Sequence, residues 1–188
     1  MERFADVYRR AAEGAPFDHT AATLATASSN GKPSARIVLL KGHSRHGFVF
    51  FTNYLSRKGK EMTENPYAAL CFYWPWLNEQ VRVEGKIEQL PASDSDAYFS
   101  TRPRISQIGA WASRQSLPVE SREALLERVK QFESMYADRP IPRPENWGGY
   151  LLIPNAIEFW KDGQYRLHDR FVYARNTDKT WTMRRLNP

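Results

Sequence analysis

Residues 80–90 read QVRVEGKIEQL, in which apolar or small side chains alternate with polar ones. Successive side chains of a β-strand point to opposite faces, so this period of two predicts a strand over residues 80–90. Val81 and Val83 would lie on one face of the strand, and Arg82 and Glu84 on the other. Such a strand belongs in a sheet whose two faces meet different surroundings.

Comparable patterns on both sides of this stretch predict further strands. Asn30-Gly31 is a hairpin signal between the first two, and Asp162-Gly163 predicts a turn near the end of the chain. The predicted strands before it cover residues 18–27, 34–41, 47–52 and 67–73, and those after it cover 148–153, 156–161, 166–175 and 180–186.

Helical patterns lie at the N-terminus and between the two groups of strands. The N-terminal segment 1–16 carries apolar side chains at helical spacing over 2–13, and Ser56 is a good N-cap for a short helix that ends before Pro66. The segment 92–136 is predicted to hold helices at 92–101, 103–112 and 120–136, and the proline-rich stretch 138–146 is predicted to be a loop.

This order of elements indicates the fold class. Hairpin-linked strands with the helices gathered in the middle favour an antiparallel β-barrel with peripheral helices, in the α+β class but mainly β. We expect residues 1–188 to form a single domain, with the strands of 147–188 at its C-terminal end.

The composition limits the function classes. The net charge of +6 fits an anionic ligand, yet basic residues never occur in runs of five or more. Scattered cations favour discrete phosphate pockets over a nucleic-acid groove, so we expect no nucleic-acid partner. There is no signal-peptide core and no apolar stretch approaching 18 residues, so we expect a cytoplasmic protein without a membrane partner.

The pentad Arg166-Leu167-His168-Asp169-Arg170 carries the most chemical information. In an extended strand Arg166, His168 and Arg170 would share one face, with Leu167 and Asp169 on the other. Like charges at adjacent positions of one face repel each other, so the pattern predicts an anionic or electron-rich ligand. The alternative is a solvated polar face on which Asp169 offsets part of the charge.

Two other groups of cations are candidates for phosphate binding. Arg36 and Lys41 bracket an apolar core and, five residues apart, would face opposite sides of a strand, where they could serve two adjoining pockets. Ser56-Arg57-Lys58 places a hydroxyl, free N–H groups and two cations at a helix start, where cations oppose the helix dipole unless an anion is bound. The alternatives are strand-end charges that reach water and a capped surface helix.

The predicted helical segment adds further phosphate donors. Tyr98, Arg102 and Ser106 recur every four residues, and Pro103 places Ser106 in the first turn of the next helix. A phenol, a guanidinium and a hydroxyl near a helix N-terminus suit a phosphate. The alternative is a helical hairpin with a surface arginine.

The sequence shows neither a catalytic triad, nor metal-ligand spacing among its four histidines, nor a dinucleotide glycine fingerprint, so no metal site is expected. Redox chemistry would therefore need a bound organic cofactor. Gln115-Ser116 could hydrogen-bond the edge of a cofactor, and Trp160 could pack a flat ring. An ordered loop and a barrel-closing indole are the alternatives.

Taken together, these segments resemble the pyridoxamine 5′-phosphate oxidase family from about Ala21 to Pro188. Many ordered motifs at compatible spacing make the resemblance specific. The shared motifs are Arg36–Lys41, Phe51-Thr52-Asn53, Ser56-Arg57-Lys58, Gln80, Tyr98, Arg102-Pro103-Arg104, Ser106–Trp111, Gln115-Ser116, Trp147-Gly148-Gly149, Glu158-Phe159-Trp160 and Arg166–Phe171.

The resemblance implies an FMN-binding split β-barrel that forms a homodimer with FMN at the subunit interface. It implies oxidation of pyridoxamine 5′-phosphate and pyridoxine 5′-phosphate to pyridoxal 5′-phosphate by hydride transfer to flavin N5, with O2 reduced to hydrogen peroxide. The implied FMN-binding residues are Arg36, Ile37, Val38, Leu39, Leu40, Lys41, Phe51, Thr52, Arg57, Lys58, Gln80, Gln115, Ser116, Trp160 and Arg170. The implied substrate-binding residues are Lys41, Tyr98, Arg102, Ser106, Arg166 and His168, of which Arg166 and His168 are the implied catalytic pair.

The sequence departs from the family pattern in two places. Phe51 stands where the family often has Tyr, and no counterpart of the family's basic N-terminal arm is found before Phe4. Two other functions stay open. One is a related split-barrel flavoenzyme that acts on another substrate, such as a phenazine precursor, and the other is a non-catalytic protein that binds flavin or pyridoxal phosphate.

Overall fold

The structure is a computed structural model that describes residues 1–188 as nine strands, five α-helices and two short 3-10 helices. The strands are β1 (Ala21–Ala27), β2 (Pro33–Leu39), β3 (Gly42–Ser44), β4 (Gly47–Asn53), β5 (Tyr67–Trp74), β6 (Glu79–Gln89), β7 (Trp147–Lys161), β8 (Asp169–Arg175) and β9 (Trp181–Leu186). The α-helices are α1 (Glu2–Ala12), α2 (Arg57–Glu64), α3 (Ala92–Thr101), α4 (Arg104–Ala112) and α5 (Arg122–Met135).

All nine strands belong to one antiparallel sheet, which is curled into a half-barrel. Its order is β2-β1-β5-β6-β7-β4-β3, and β8 and β9 extend it from β7. One edge of β7 pairs with β6, while the other edge pairs first with β4 and then with β8. The backbone N–H of Leu40 donates to Thr20 beside β1 and that of Lys41 to Val49 in β4, each at 2.8 Å, so the chain after β2 links the two ends of the sheet.

The alternation in residues 80–90 is confirmed by β6. Val81 and Val83 are 1% and 0% exposed inside the barrel, while Glu84 and Lys86 are exposed. Aromatic residues of β4 and β5 fill the same core, and Phe4 of α1 closes it with its ring edge-on to Phe48 at 4.8 Å. The predicted α+β, mainly β, antiparallel fold is therefore confirmed.

A smaller core joins the helical segment to the start of β7. Phe99 of α3, Ile108 of α4 and Tyr136 after α5 are buried together with Trp147. The three helices predicted within 92–136 are all present, and this second core places α3 and α4 beside β4. None of the helices is both long and apolar enough to cross a membrane.

Several predicted boundaries differ from those in the structure. The N-terminal helix ends at Ala12 instead of reaching residue 13 or 16, and β2 ends at Leu39, two residues before Lys41. The strands predicted at 148–153 and 156–161 are one continuous strand, β7. A bulge places Glu84 opposite Ala156 and Gly85 opposite Pro154, so Asn155 is the extra residue and the proline is accommodated within the strand.

The prediction that the pentad 166–170 is extended is also wrong for its first half. Residues Gln164–Arg166 form a tight turn, in which Tyr165 and Arg166 have left-handed φ values of 57° and 63°. The strand β8 begins only at Asp169. Arg166, His168 and Arg170 therefore do not alternate along one strand face, since a left-handed backbone at Arg166 ends the extended conformation.

Candidate functional site

Two adjoining cavities lie where β2 and β4 meet the helices α2 to α4. The first has a volume of about 300 Å³ and is lined by Ile37, Val38, Leu39, Lys41, Phe51, Thr52, Asn53, Lys58, Tyr98, Arg102, Gln115 and Trp147. The second has a volume of about 260 Å³, shares Asn53, Arg102, Gln115 and Trp147, and adds Ser106, Gly109, Ala110 and Ser113. Apart from Asn53 and Trp147, every residue that lines the first cavity is one that the family resemblance implies for the site.

The polar end of the first cavity is at the N-terminus of α2. Ser56 caps this helix, as predicted, and its Oγ accepts a hydrogen bond from the Gly59 N–H at 3.3 Å. Lys58 Nζ donates to Gln115 Oε1 at 2.8 Å, and Thr52 Oγ1 donates to the same oxygen at 3.3 Å. Burial, together with the nearby charge of Arg36, lowers the pKa of Lys58 to about 8. Lys58, a half-buried cation, thus lines the cavity at the N-terminus of α2, where a helix favours an anion.

Arg36 and Arg57 lie behind this polar end and do not line either cavity. Both contact the carboxylate of Glu61, Arg36 Nη2 at 3.3 Å and Arg57 Nε at 2.9 Å. The side chain of Glu61 is 8% exposed, and hydrogen bonds from Ser34 and Thr26 and the two guanidinium groups lower its pKa to about 2 against the opposing effect of burial. The expectation that Arg36 and Lys41 serve two adjoining pockets from one strand is wrong, because Lys41 lies beyond the end of β2 and lines the first cavity, while Arg36 faces Glu61 and lines neither cavity.

An aromatic wall forms the other side of the first cavity. The ring of Phe51 stacks on Tyr98, with centroids 3.9 Å apart, and lies nearly parallel to Trp147 at 5.4 Å. The guanidinium of Arg102 lies 4.5 Å from the centre of the Trp147 ring. Burial lowers the pKa of Arg102 and raises that of Tyr98.

Arg102 is one of the four residues that line both cavities, and among these four it is the one with a buried polar atom that lacks a hydrogen-bond partner. Its Nη1 atom is buried and has no hydrogen-bond partner. An unsatisfied buried donor on a charged group costs about 1–3 kcal/mol or more, so it marks a place where an anion would bind. Ser106 stands in the second cavity on the first turn of α4, where a hydroxyl can add to the same anion site.

The other implied residues form a separate cluster on β6, β7 and β8. Trp160 pairs across the sheet with Gln80 on one side and with Arg170 on the other. The Trp160 ring lies 4.8 Å from the ring of His168, and Arg170 Nε donates to Glu158 Oε1 at 2.8 Å. None of these residues lines the two cavities of the same chain.

The loop before β8 presents Arg166 to the outside. His168 Nδ1 accepts a hydrogen bond from the Gly163 N–H at 3.2 Å and lies 3.0 Å from Asp162 Oδ1. Arg166 itself is exposed, and the neighbouring Tyr165 is 91% exposed. The implied catalytic pair therefore lies outside the cavities that hold the other implied substrate-binding residues.

The last two implied residues do not face the cavities. Leu40 is buried in the barrel core, 3% exposed, and Ser116 is an exposed loop residue with φ of 70°. No group of three or more His, Cys, Asp or Glu side chains is arranged to hold a metal ion.

Several residues of this region, among them Asn53, Trp147 and Glu61, are not among the predicted site residues. Asn53 and Trp147 belong to two of the motifs shared with the family, but neither motif indicates a role for them. Glu61 stands four residues after Arg57 in α2, a spacing that predicts a helical ion pair. Nothing in the sequence indicates that Arg36 shares the same carboxylate.

Comparison with known proteins shows the family of the chain. Residues 10–136 match the family model for pyridoxamine 5′-phosphate oxidase, and residues 147–188 match the C-terminal dimerisation region of pyridoxine 5′-phosphate oxidase. A pyridoxine/pyridoxamine 5′-phosphate oxidase of Myxococcus xanthus (strain DK1622) is 50% identical over 188 residues, which is 100% of this chain and 91% of the relative. One from Paraburkholderia phytofirmans is 56% identical over 167 residues, 88% of this chain and 78% of the relative.

Solved structures show the same fold. PhzG from Burkholderia lata 383, in complex with tetrahydrophenazine-1-carboxylic acid, has a TM-score of 0.94 at 30% identity, with 100% of this chain and 91% of that chain covered. A pyridoxamine 5′-phosphate oxidase-related, FMN-binding protein of Nostoc punctiforme has a TM-score of 0.79 at 20% identity, with 100% and 96% covered. With these matches beside the cavity residues, the chain belongs to the pyridoxamine 5′-phosphate oxidase family.

Proposed function

We propose that the protein is an FMN-dependent oxidase that converts pyridoxamine 5′-phosphate and pyridoxine 5′-phosphate to pyridoxal 5′-phosphate. The observation that carries the proposal is the pair of adjoining cavities with separate cations. Lys58 stands at the α2 end, and the unpartnered Nη1 of Arg102 stands at the boundary with the second cavity. Two phosphate-bearing ligands that meet each other need such an arrangement. The relatives that bear this enzyme's name support the same substrates.

The residues present fit FMN. A phosphate would find Lys58 and the N-terminal N–H groups of α2 at one end of the first cavity, while Ile37 and Leu39 provide an apolar surface for a flat ring. Gln115 and Thr52 add hydrogen-bonding groups at the edge. When bound, FMN would accept a hydride at N5 and return the electrons to O2 as hydrogen peroxide.

The substrate phosphate would be held by Lys41, Tyr98, Arg102 and Ser106. A phosphate oxygen would satisfy the buried Nη1 of Arg102, and charge-assisted hydrogen bonds of this kind are about twice as strong as neutral ones. The stacked rings of Phe51, Tyr98 and Trp147 exclude water from one side of the site. Binding energy from the phosphate would thus orient the reacting carbon of the substrate.

Arg166 and His168 would act on the substrate in a homodimer. Both lie outside the cavities of their own chain, so the loop of residues 162–168 from a second protomer would complete the site, together with Gln80, Trp160 and Arg170. The match of residues 147–188 to a dimerisation region supports this arrangement. Arg166 would hold the ring and stabilise developing charge, and His168 would orient the polar groups of the substrate.

The purified protein provides a direct test through its flavin absorbance. We expect a yellow protein whose spectrum bleaches when pyridoxamine 5′-phosphate is added without oxygen, and returns with formation of hydrogen peroxide when oxygen is admitted. A colourless protein that binds no added FMN would contradict the proposal. A yellow protein that never bleaches would instead indicate a protein that stores or delivers flavin.

A second candidate follows from the similarity to PhzG, whose solved complex contains a tetrahydrophenazine carboxylic acid. A related activity on such a tricyclic acid would not need a phosphate site at Arg102. Adding this compound and pyridoxamine 5′-phosphate to separate anaerobic samples distinguishes the two functions. We expect rapid bleaching only with the phosphorylated substrate, and we expect Arg102→Ala to slow it.

A further inference from the structure

We propose that Glu61 is a positioning residue for the cation cluster at the start of α2, and that tight binding of a phosphate-bearing ligand there depends on its carboxylate. The cation cluster consists of Arg36, Arg57 and Lys58. The inference rests on the proposed function, because the ligand is taken to be FMN.

The contacts of Glu61 tie three elements together. Its Oε2 accepts hydrogen bonds from Thr26 Oγ1 of β1 at 2.5 Å and from Ser34 Oγ of β2 at 2.6 Å. Arg36 approaches the same oxygen, and Arg57 Nε donates to Oε1 at 2.9 Å. One buried carboxylate therefore fixes a guanidinium from the barrel relative to one from the helix.

Both terminal nitrogens of Arg36 are engaged in this network. Its Nη1 donates to Thr26 Oγ1 and to the Leu24 carbonyl oxygen, and its Nη2 donates to Ser34 Oγ and Glu61. Arg36 thus contributes charge to the site from a fixed position, while its two terminal nitrogens donate their hydrogen bonds to the protein. Arg57 has a 64% exposed side chain, and its contact with Glu61 holds it near the helix start.

The charge balance suits a phosphate monoester. Three cations and one carboxylate leave two positive charges when Lys58 is protonated, and a phosphate monoester carries about −1.5 to −2 at neutral pH. If Glu61 acted only as a neighbouring negative charge, it would repel the phosphate and its removal would strengthen binding. If it positions the cations, its removal weakens binding, so the two roles differ in sign.

The test compares FMN with riboflavin, which has the same ring system without the phosphate. Apoprotein is titrated with each flavin, and binding is followed by the quenching of flavin fluorescence. We expect Glu61→Gln to raise the Kd for FMN by about tenfold, because the charge-assisted contacts to both guanidinium groups are lost. The Kd for riboflavin should not change. Glu64→Gln is the matched control, since it removes the same charge from an exposed position of α2 and should change neither Kd.

A second variant distinguishes the effect of the carboxylate's position from the effect of its charge. Riboflavin binding shows whether each variant is folded. Glu61→Asp keeps the charge but withdraws the carboxylate by one methylene group, and we expect it to weaken FMN binding less than Glu61→Gln does. Unchanged riboflavin binding in either variant shows that the pocket is folded. An unchanged or lower Kd for FMN in both variants would overturn the inference alone. A wild-type protein that binds neither flavin, or that does not prefer FMN to riboflavin, would overturn the proposed function with it.

Discussion

The cavity region and the loop of residues 162–168 differ in how complete each is within one chain. The cavity region is enclosed by β2, β4 and three helices, and its polar groups already contact each other, as Lys58 and Thr52 do through Gln115. The loop stands at the surface with Tyr165 and Leu167 91% and 70% exposed. The cavity region is thus complete within one chain, whereas the loop of residues 162–168 exposes its side chains at the surface.

The loop is nevertheless specifically shaped. Left-handed φ values at Tyr165 and Arg166 cost on the order of 1 kcal/mol each for residues other than glycine. A Cβ at Gly163 would lie 2.2 Å from the Leu167 carbonyl oxygen, so only glycine allows the loop to close tightly, and the hydrogen bond from its N–H to His168 fixes the turn. A loop held in such a conformation before it meets a partner is pre-organised for binding.

The largest effect is expected from combining the two regions in one dimer. Arg102→Ala damages the cavity, and Arg166→Ala damages the loop, so each variant alone should lose most of its turnover at low substrate concentration. In a mixed dimer, one site has both changes and the other has neither if each site takes its loop from the other protomer. Random mixing should then restore about a quarter of the wild-type activity, because half of the dimers are mixed and half of their sites are intact.

Separately tagged, co-expressed protomers allow the mixed dimer to be isolated and assayed. The isolated mixed dimer should reach about half of the wild-type activity per dimer. A mixed dimer no more active than the two parents would show that cavity and loop act within one chain, which would contradict the proposed division of the site.

Arg102→Ala by itself should weaken binding of the substrate without weakening binding of the flavin. Loss of a charge-assisted phosphate contact costs about 1.5–3 kcal/mol, so KM for pyridoxamine 5′-phosphate should rise roughly 10- to 150-fold. Flavin content should stay near that of the wild type, because Lys58 lies at the opposite end. Steady-state kinetics and the flavin absorbance per protomer check both points. Arg102→Lys keeps the charge without the planar fork and should recover part of the loss.

Local sequence signals predict part of the structure correctly, but they do not predict the shape of the loop of residues 162–168. The alternation in β6 and the N-cap at Ser56 are local signals, and both are found in the structure as predicted. The shape of the pentad is set by the left-handed backbone at Tyr165 and Arg166, which the alternation of charges does not reveal. The motifs locate the cavity residues well, since they come from segments that pack together within one chain.

Other features depend on contacts between distant segments. Glu61 meets Arg36 only because the barrel brings β2 beside α2, although 25 residues separate the two positions. The place of Trp147 under Arg102 likewise follows from the packing of α3 on the start of β7. Ordinary helix and strand periods do not contain this information, so such residues emerge only from the fold.

A smaller effect than that of Arg102→Ala is expected from Trp147→Leu. The leucine keeps an apolar side chain in the small core but removes the ring over which Arg102 lies at 4.5 Å. A partly buried cation–π contact contributes about 0.5–2 kcal/mol, so KM for the substrate should rise roughly 2- to 30-fold with little change in kcat. A circular dichroism melt checks the fold of the variant. If kcat falls while KM stays constant, Trp147 does not act by holding Arg102.

The smallest effect concerns the pH dependence of the α2 end of the cavity. Lys58 has a pKa of about 8 in the folded apoprotein, lowered by burial and by Arg36 from 10.5. An anion binds best while Lys58 is protonated, so the affinity of the apoprotein for FMN should fall by at most about tenfold as the pH rises from 7 to 9. Riboflavin affinity, which involves no phosphate, should stay constant over this range.

Titration of Lys58 should also make the free energy of unfolding of the apoprotein depend on pH, but this free energy should rise with pH, whereas the affinity for FMN falls. Between pH 8 and 10.5 the unfolded chain binds the Lys58 proton more tightly than the folded chain does, so this residue makes folding more favourable as the pH rises. Lys58→Met removes the titrating group and should flatten both the FMN titration series and this part of the denaturant-measured stability profile. If wild type and Lys58→Met show the same pH slope for FMN binding, then Lys58 is not the cation that meets the FMN phosphate. The cavity region must then hold this phosphate with Lys41 or Arg102 instead.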